Sequence, residues 1–417
     1  MKRIAAVLAF LAILGTACWA QPAAENERQL FRQIDEILTS LCEITGYKML
    51  RPVPHELISS AGVRQYIEQR VQEEVKPEEL RAEELVLKKF GFVSQEFDLK
   101  KTTIDLLSEQ AAAFYDYRKK KLYVLDSSST AVQEIALVHE LAHALADQQF
   151  NLDKYIQKSN ENDDAAMARL AVMEGQATWL MSEYVARRMG VSLRNTPAIA
   201  RLMSQQAGLS AAEFPVFGGA PLYLRETLLF PYTQGMLFQQ AVIEKEGSAA
   251  FAAVFKRPPA STRQVIHPGT YFAGDKPADP PLPSVSTPGG FRTLVEGSIG
   301  ELDHGILLRQ YGGEEQAAAL APRWRGGNYR LLESKADKHS VLEYSSQWED
   351  APAARQFFEF YREVLRKKWN KIESAAAGNA AFTGRGDDGY FAVRLDGARV
   401  TSIEGLNAPG EEKPGLR

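Results

Sequence analysis

The chain has 417 residues, of which 45% are hydrophobic and 24% are charged, a composition typical of globular proteins. This length predicts two or three domains, each large enough to bury its own core. The formal net charge of −4 gives no electrostatic basis for nucleic-acid binding, and the short basic runs 118–121 and 366–368 are expected to be a hairpin tip and a solvated helix face.

Residues 1–20 have the layout of a secretory signal. A short basic start precedes the apolar run 4–14, and small residues then lead to Ala20, a plausible cleavage point. The apolar run is too short and wrongly flanked for a stable membrane span, so a retained anchor is the weaker alternative. We therefore expect an exported protein, either periplasmic or extracellular.

The two cysteines also bear on how the exported protein is processed and whether it is anchored. Cys18 raises the alternative of a lipoprotein signal that leaves a lipidated cysteine at the mature end, although Gly15 stands where a branched apolar residue is expected. Cleavage after Ala20 would leave Cys42 alone, and therefore no internal disulfide. A domain of this size does not need one, because its core is large enough.

The first part of the mature chain, residues 21–110, is expected to be helical. Apolar residues recur at helical spacing in 25–47 and again in 55–75. Pro77 opens a third helix that ends near Gly91, and a fourth helix covers 99–110.

The residue composition then changes from a helical to a strand-like pattern. Residues 111–125, AAFYDYRKKKLYVLD, are aromatic and β-branched around a charged centre, which predicts a β-hairpin. A helix follows over 130–150 and a longer one over 164–189. Helical patterns recur near 196–207 and 232–247.

A proline-rich segment divides the chain. Residues 275–290 contain five prolines and two glycines and are typical of a linker or extended loop. We expect one domain over 21–285 and a smaller α+β unit over 286–417. The elements expected in that unit are a helix near 300–320, strands near 328–333 and 340–346, a helix over 353–372 and a hairpin near 388–404.

The segment ALVHELAHALADQQ, residues 136–149, carries the strongest chemical signal. His139 and His143 are four residues apart on the predicted helix, so their side chains project from one face, about 40° apart. Both imidazoles can then reach one zinc ion, and Glu140 beside them can take the proton of an acidified water that attacks a carbonyl. The alternative is a pair of buried, hydrogen-bonded histidines with Glu140 in a salt bridge.

A catalytic zinc ion needs a third protein ligand. Glu174, in LAVMEGQATWL, lies among apolar residues where an unpaired carboxylate is costly, so a metal partner would explain it. It could instead be an ordinary helix-surface glutamate. Asp163 and Asp164 compete for the role but sit in a polar loop, where helix capping is the expected role. His267, the next histidine, is too distant to be favoured.

The segments HELAHALADQQFNL and MEGQATWL together resemble the gluzincin group of zinc metallopeptidases, to which thermolysin belongs. The resemblance implies a zincin-like fold that acts on peptide or protein substrates. It implies His139, His143 and Glu174 as zinc ligands and Glu140 as general base. Asp147 matches an aspartate of thermolysin-like enzymes and is either support for a ligand or a surface charge.

The chain is also similar to a family of uncharacterised bacterial secreted proteins that carry the same zinc motif. Three further segments support this resemblance, MEGQATW (173–179), FPYTQG (230–235) and PPASTRQVIHPGTY (258–271). It covers about 100–290 well and the C-terminal unit loosely. Gln176 departs from the pattern, because an aspartate is expected there.

Thermolysin-like enzymes stabilise the developing oxyanion with a histidine and a tyrosine. The resemblance therefore makes His267 a catalytic candidate together with Tyr271, with Arg263 and Tyr232 behind them. His267 could instead only order a turn. The aromatic strand pair 114–125 could offer an edge along which an extended peptide adds as a strand.

These observations predict an α+β protein. A mostly helical zincin-like domain, with a small sheet beside the active-site helix, precedes the smaller C-terminal unit. The expected function is that of a secreted zinc metallopeptidase. The alternative is a non-catalytic zincin-like binding or scaffold protein, against which the intact Glu140 counts. A third possibility is self-processing at the accessible segment 275–290.

Overall fold

The structure, a computed structural model, shows an α+β protein, which confirms the predicted fold class. Helices dominate up to residue 274, and an antiparallel sheet with three covering helices follows. The predicted signal 1–20, with Cys18, lies outside the described residues. Within the described part, no helix is long and apolar enough to cross a bilayer. The described residues are 23–110, 112–126, 130–158, 162–211, 214–285, 290–410 and 412–413.

The N-terminal part is helical as predicted, with one correction. The helix expected over 55–75 begins only at Ser60, because Ser59 caps it by accepting the Gly62 N–H at 3.1 Å. The residues before the cap form strand β1 instead. The elements of this part are α1 (Ala23–Thr45), β1 (His55–Ile58), α2 (Ser60–Glu74), α3 (Pro77–Phe90) and α4 (Leu99–Gln110).

A small sheet follows, in the order β1-β3-β2. Strands β2 (Ala113–Asp116) and β3 (Lys121–Leu125) form the predicted antiparallel hairpin, and β1 pairs with β3 in parallel. Phe114 and Tyr123 stack across the hairpin, with ring centroids 4.9 Å apart. The sheet packs against helix α5 (Thr130–Phe150), which carries the histidine motif, so the sheet lies beside that helix as expected.

Helices α5, α7 and α10 form the centre of the helical part. One boundary differs from the prediction: α10 begins ten residues before 232, and Pro231 lies inside it. Burial of Phe230 and Tyr232 against the core outweighs the hydrogen bond that Pro231 removes. The elements of this part are α6 (Leu152–Gln157), α7 (Asp163–Arg188), α8 (Pro197–Ala211), α9 (Pro215–Gly219), α10 (Leu222–Glu246), α11 (Ala250–Lys256), α12 (Thr262–Ile266) and α13 (Pro268–Ala273).

Helices α7 and α10 touch backbone to backbone. A Cβ atom on Gly175 would lie 2.1 Å from the carbonyl carbon of Gly235, and one on Gly235 would lie 2.2 Å from the Ala171 oxygen. Each glycine belongs to one of the sequence segments MEGQATW and FPYTQG. Both positions require glycine because the two helices cross so closely there. The crossing also brings Glu174 and Tyr232 to the same side of α5.

Replacing Gly175 by Ala is expected to force the two helices apart. Overpacking of this kind costs about 1–3 kcal/mol of unfolding free energy, and metal binding should weaken because Glu174 is the adjacent residue. Denaturant unfolding and metal content measure the two effects. Gly219→Ala is the control, since its added Cβ meets no atom within 4 Å. Equal behaviour of the two variants would contradict the role given to the crossing.

The C-terminal part is a seven-stranded sheet in the order β5-β6-β7-β11-β10-β9-β8. Three strands were not expected: β5, β8 and β9. Strand β5 carries exposed charges on both faces, and ESAAA of β8 has the composition of a helix, so neither shows a clear strand pattern. The elements are β4 (Ser284–Val285), β5 (Phe291–Ser298), α14 (Glu301–Gly312), α15 (Glu314–Leu320), β6 (Trp324–Ser334), β7 (Ser340–Trp348), α16 (Ala351–Lys368), β8 (Glu373–Ala377), β9 (Ala381–Gly386), β10 (Gly389–Asp396), β11 (Arg399–Leu406) and β12 (Glu412–Lys413).

The first turn of α7 joins the two parts of the chain. Asp163 Oδ2 accepts the Tyr329 hydroxyl at 2.8 Å, and Asp164 Oδ1 accepts the hydroxyl and the N–H of Thr262 at 2.6 and 3.0 Å. The backbone N–H of Asp164 donates to Ser298 Oγ at 3.1 Å. Asp163 and Asp164 are therefore engaged in this junction, away from the histidine motif. The helix cap expected of them is made by Asn162 instead, whose side-chain oxygen accepts the Ala165 N–H at 2.8 Å. One hydrophobic core runs through both parts.

Asp164 makes stability depend on pH. Burial raises the pKa of its carboxyl from 3.8 to about 7, although the Thr262 hydrogen bonds oppose this. The folded state then binds more protons than the unfolded state between these values, so the free energy of unfolding should fall as pH rises from about 4 to 7. Asp164→Asn, which keeps an oxygen acceptor for Thr262, should show a shallower fall in urea unfolding. Parallel curves for the two proteins would exclude this group as a source of the pH dependence.

Candidate metal centre

Three predicted ligands meet in the space between α5 and α7. The Nε2 atoms of His139 and His143 are 3.1 Å apart, and both lie near one oxygen of Glu174, Oε2, at 3.1 and 3.2 Å. The apolar residues around them on α5, such as Leu141 and Leu145, are fully buried and hold the helix in the core. The structure thus brings His139, His143 and Glu174 together as the sequence predicts.

The spacing of these three atoms is better explained by coordination of one zinc ion than by hydrogen bonds among them. Each neutral imidazole nitrogen Nε2 either donates or accepts, so protons cannot satisfy all three sides of this triangle at once. Ligands at about 2.0–2.1 Å from a tetrahedral zinc ion lie about 3.3 Å apart, close to the observed spacings. Two imidazoles and a carboxylate are also a donor set that catalytic zinc takes.

Glu140 lies beside the triangle. Its Oε2 accepts the backbone N–H of Tyr115 at 2.7 Å, whereas Oε1 is buried with no hydrogen-bond partner among the described residues. Burial raises the pKa of Glu140 to about 8; the charge of Glu174 adds to this and His143 opposes it. A general base must be ionised, and the positive charge of a bound zinc ion would lower this pKa. Oε1, the oxygen without a partner among the described residues, is then the atom that can take up a proton.

Glu140 also competes with Glu174 for the role of third ligand. Ligand atoms of His139, Glu140 and His143 all lie within 4.8 Å of one another. Glu174 is the better ligand because a single oxygen lies within 3.2 Å of both imidazoles. One oxygen of Glu140, in contrast, is already held by Tyr115.

Charge within the site favours an ionised Glu174. Burial alone would raise its pKa, but His143 and His139 outweigh this and hold the pKa at about 2. Burial lowers the pKa of His139, which keeps a lone pair available. For His143, burial acts in the same direction, but the Glu174 carboxylate outweighs it and the pKa is raised.

Asp147 is buried, so it is not a surface charge. Its Oδ1 accepts from Lys120 Nζ at 2.8 Å and its Oδ2 from the Tyr115 hydroxyl at 3.0 Å. Tyr115 therefore contacts both Glu140 and Asp147 and ties the hairpin to α5. The negative charge of Asp147 also contributes to the raised pKa of His143.

Gln176 faces away from the metal ligands. Its amide donates to the backbone oxygen of Phe251 at 3.0 Å and to Gln239 Oε1 at 3.3 Å. The residue thus joins α7 to α10 and α11. Its difference from the expected aspartate changes this helix contact and leaves the ligand oxygen of Glu174 untouched.

The structure does not bring His267 to the other site residues. Its Nε2 is 2.6 Å from Glu301 Oε1, so that ring nitrogen is already engaged with a carboxylate. Tyr271, its predicted partner, donates its hydroxyl to the Arg257 oxygen at 2.8 Å. Neither contacts His139, Glu140, His143 or Glu174 through a hydrogen bond or ring contact within the described residues.

Tyr232, which was expected only behind His267, lies next to the histidine pair. Its ring stacks on that of His139 with centroids 5.9 Å apart. Burial, together with the charges of Glu174 and Glu140, raises the pKa of Tyr232 well above its ordinary value, so the hydroxyl keeps its proton. Sequence reasoning placed Tyr232 only behind His267, because the crossing of α7 and α10 that positions it is a long-range contact.

Fold and site together define the class: an α+β protein whose helical part holds a buried cluster of two histidines and two glutamates. Residues 287–413 match the model of a family described as a domain of unknown function, DUF8575. The match covers the C-terminal sheet and contains none of the residues of the metal centre. No curated protein and no solved structure matches the chain.

Proposed function

We propose that the protein is a zinc-dependent metallopeptidase. His139, His143 and Glu174 hold the ion, and Glu140 is the general base. The observation that carries the proposal is the convergence of two imidazole nitrogens and one carboxylate oxygen within 3.2 Å, beside a buried Glu140 oxygen with no partner among the described residues. We also propose export, on the basis of the signal-like residues 1–20.

When bound, the ion supplies Lewis-acid polarisation of a carbonyl and acidifies a water molecule. Proton transfer and oxyanion stabilisation are carried out by groups of the chain itself. The Tyr115 N–H fixes Glu140 Oε2, so the proton is taken up at Oε1 and can later be given to the leaving amine. Tyr232, which lies against His139, donates its hydroxyl proton in a hydrogen bond to the developing oxyanion.

The experiment that tests this function measures metal and hydrolysis together. We expect the purified protein to contain about one zinc ion per chain and to hydrolyse an unfolded protein substrate, with activity lost on chelation and restored by zinc. Zinc without hydrolysis of any denatured protein in a broad set would favour the non-catalytic binding protein. That alternative draws support from the small exposure of His139, Glu140, His143 and Glu174, between 1 and 5%.

A further inference from the structure

A cavity of about 460 Å³ lies between α10 and the helices α14 and α15. One wall is the face of α10 between Glu226 and Gln234, and the other lies between Glu301 and Pro322. We call it the junction cleft, because its walls come from the helical part and the C-terminal part. Its volume lies within the range of small-ligand sites, about 300–1,000 Å³.

The junction cleft is separate from the metal centre. At 100° per residue, Tyr232 and Gly235 project more than about 120° away from the mean direction of the α10 residues that line the cleft. Tyr232 lies against His139 and Gly235 against α7. Helix α10 therefore stands between the two sites and presents a different face to each.

One end of the cleft carries an excess negative charge. Arg309 lies between two carboxylates, with Nη1 at 3.2 Å from Glu226 Oε2 and Nε at 2.7 Å from Glu314 Oε1. Two negative charges against one positive charge leave a net −1 at this end. A cationic group is therefore the favoured ligand there.

The opposite end is balanced and polar. Glu301, only 3% exposed, accepts from Arg263 at 2.7 Å and lies 2.6 Å from His267 Nε2. The buried carboxylate orients the imidazole of His267, which lines the cleft. This end offers hydrogen bonding without a charge that would repel a ligand.

The floor between the two ends is made of small residues. Gly305, Ala317, Ala318 and Ala321 line it, opposite the apolar side chains of α10. Small residues leave depth for an apolar side chain of a ligand. The cleft runs along nine residues of α10, 226–234, whose eight rises of about 1.5 Å give about 12 Å, the length of three to four residues of an extended chain.

We propose that the junction cleft binds a short extended peptide segment with a positively charged end, either an N-terminal ammonium or a basic side chain. The charged end meets Glu226 and Glu314, and a following apolar side chain fills the space above Ala318. The amides of Gln205 and Gln234, which also line the cleft, face the peptide backbone. This binding does not depend on hydrolysis at the metal centre; if the protein is a peptidase, the cleft is a second contact for its substrates.

The test uses the Glu140→Gln protein, so that peptides are not cut. The probes are four-residue peptides with a C-terminal fluorophore, a free N-terminal lysine and Leu, Ile, Val or Phe as second residue, measured by fluorescence anisotropy. We expect saturable binding that Ala318→Trp weakens at least about tenfold, because the large ring takes up space that the peptide needs in the cleft. Ala319→Trp is the matched control, because Ala319 is the next residue on α15 and does not line the cleft.

Charge is tested separately. Glu314→Gln should weaken binding of the lysine peptides and leave their acetylated, lysine-free analogues unchanged, whereas Glu315→Gln, one residue further on, should change neither. The proposal is overturned if no peptide binds at up to about 1 mM, or if Ala318→Trp and Ala319→Trp behave alike. Binding that survives Glu174→Ala places the peptide outside the metal centre, so the two proposals can fail independently.

Discussion

Glu140→Gln is expected to abolish peptide hydrolysis while zinc content stays the same. Glutamine has nearly the shape of glutamate, and its side-chain oxygen can still accept the Tyr115 N–H that Glu140 Oε2 accepts at 2.7 Å. The other position becomes an NH₂ group, which cannot take up a proton. Loss of a general base lowers the rate by about 10²–10⁴-fold, and initial rates on a fluorogenic peptide measure it.

The control is Glu134→Gln on the same helix. Glu134 lies at the surface, where it pairs with Arg188, and it is not part of the metal centre. We expect its zinc content and its activity to equal those of the unchanged protein. Hydrolysis retained in Glu140→Gln with a full zinc site would remove Glu140 as the base. Loss of zinc in that variant would instead identify Glu140 as a ligand.

The proposed metal ligands could be picked out from the sequence because their signal is local. His139 and His143 are related by one turn of a helix that the apolar pattern already predicts. Predicting Glu174 required one further argument. An unpaired carboxylate on a buried helix is energetically costly, so a partner for it is expected. In each case a single helix and its burial were enough, and no tertiary contact had to be known.

The groups that complete the site were not predictable in this way. Tyr115 reaches Glu140 through its backbone N–H, which every residue type except proline carries, so its identity holds no signal. His267 pairs with Glu301 across the predicted domain boundary at 285, a contact between residues 34 apart in the chain. Local periodicity cannot reveal such partners, because they depend on how the two parts of the chain pack.

The same limit applies to parts of the fold. Strand β1 was predicted as helix because four residues are too few to establish a period, and its pairing with β3 lies more than 60 residues away. A helical pattern was expected only from about residue 232, just after Pro231, yet packing of the surrounding α10 residues in the core keeps the helix continuous through this proline. Tertiary contacts decided the structure at both places.

Glu174→Ala is expected to remove zinc from the protein. The remaining His139 and His143 offer two neutral ligands, and the one carboxylate oxygen that lies within 3.2 Å of both nitrogens is lost. Loss of an outer-shell partner alone lowers metal affinity about 10–100-fold, so loss of a direct ligand should lower it by more than about 100-fold. Metal content after dialysis, and competition with a chelator of known zinc affinity, measure the effect.

A stability defect must be separated from the loss of a ligand. Glu183→Ala is the matched control. Glu183 lies on the same helix α7 and is equally buried. It accepts hydrogen bonds from Ser192 and the Leu193 N–H and does not face the metal centre. We expect it to lower the unfolding midpoint and to keep its zinc. Unchanged zinc in Glu174→Ala would transfer the third ligand position to Glu140, whose ligand atom lies within 4.8 Å of both histidines. Since Glu140→Gln would then be the variant that loses metal, the two substitutions together identify the third ligand whichever glutamate it is.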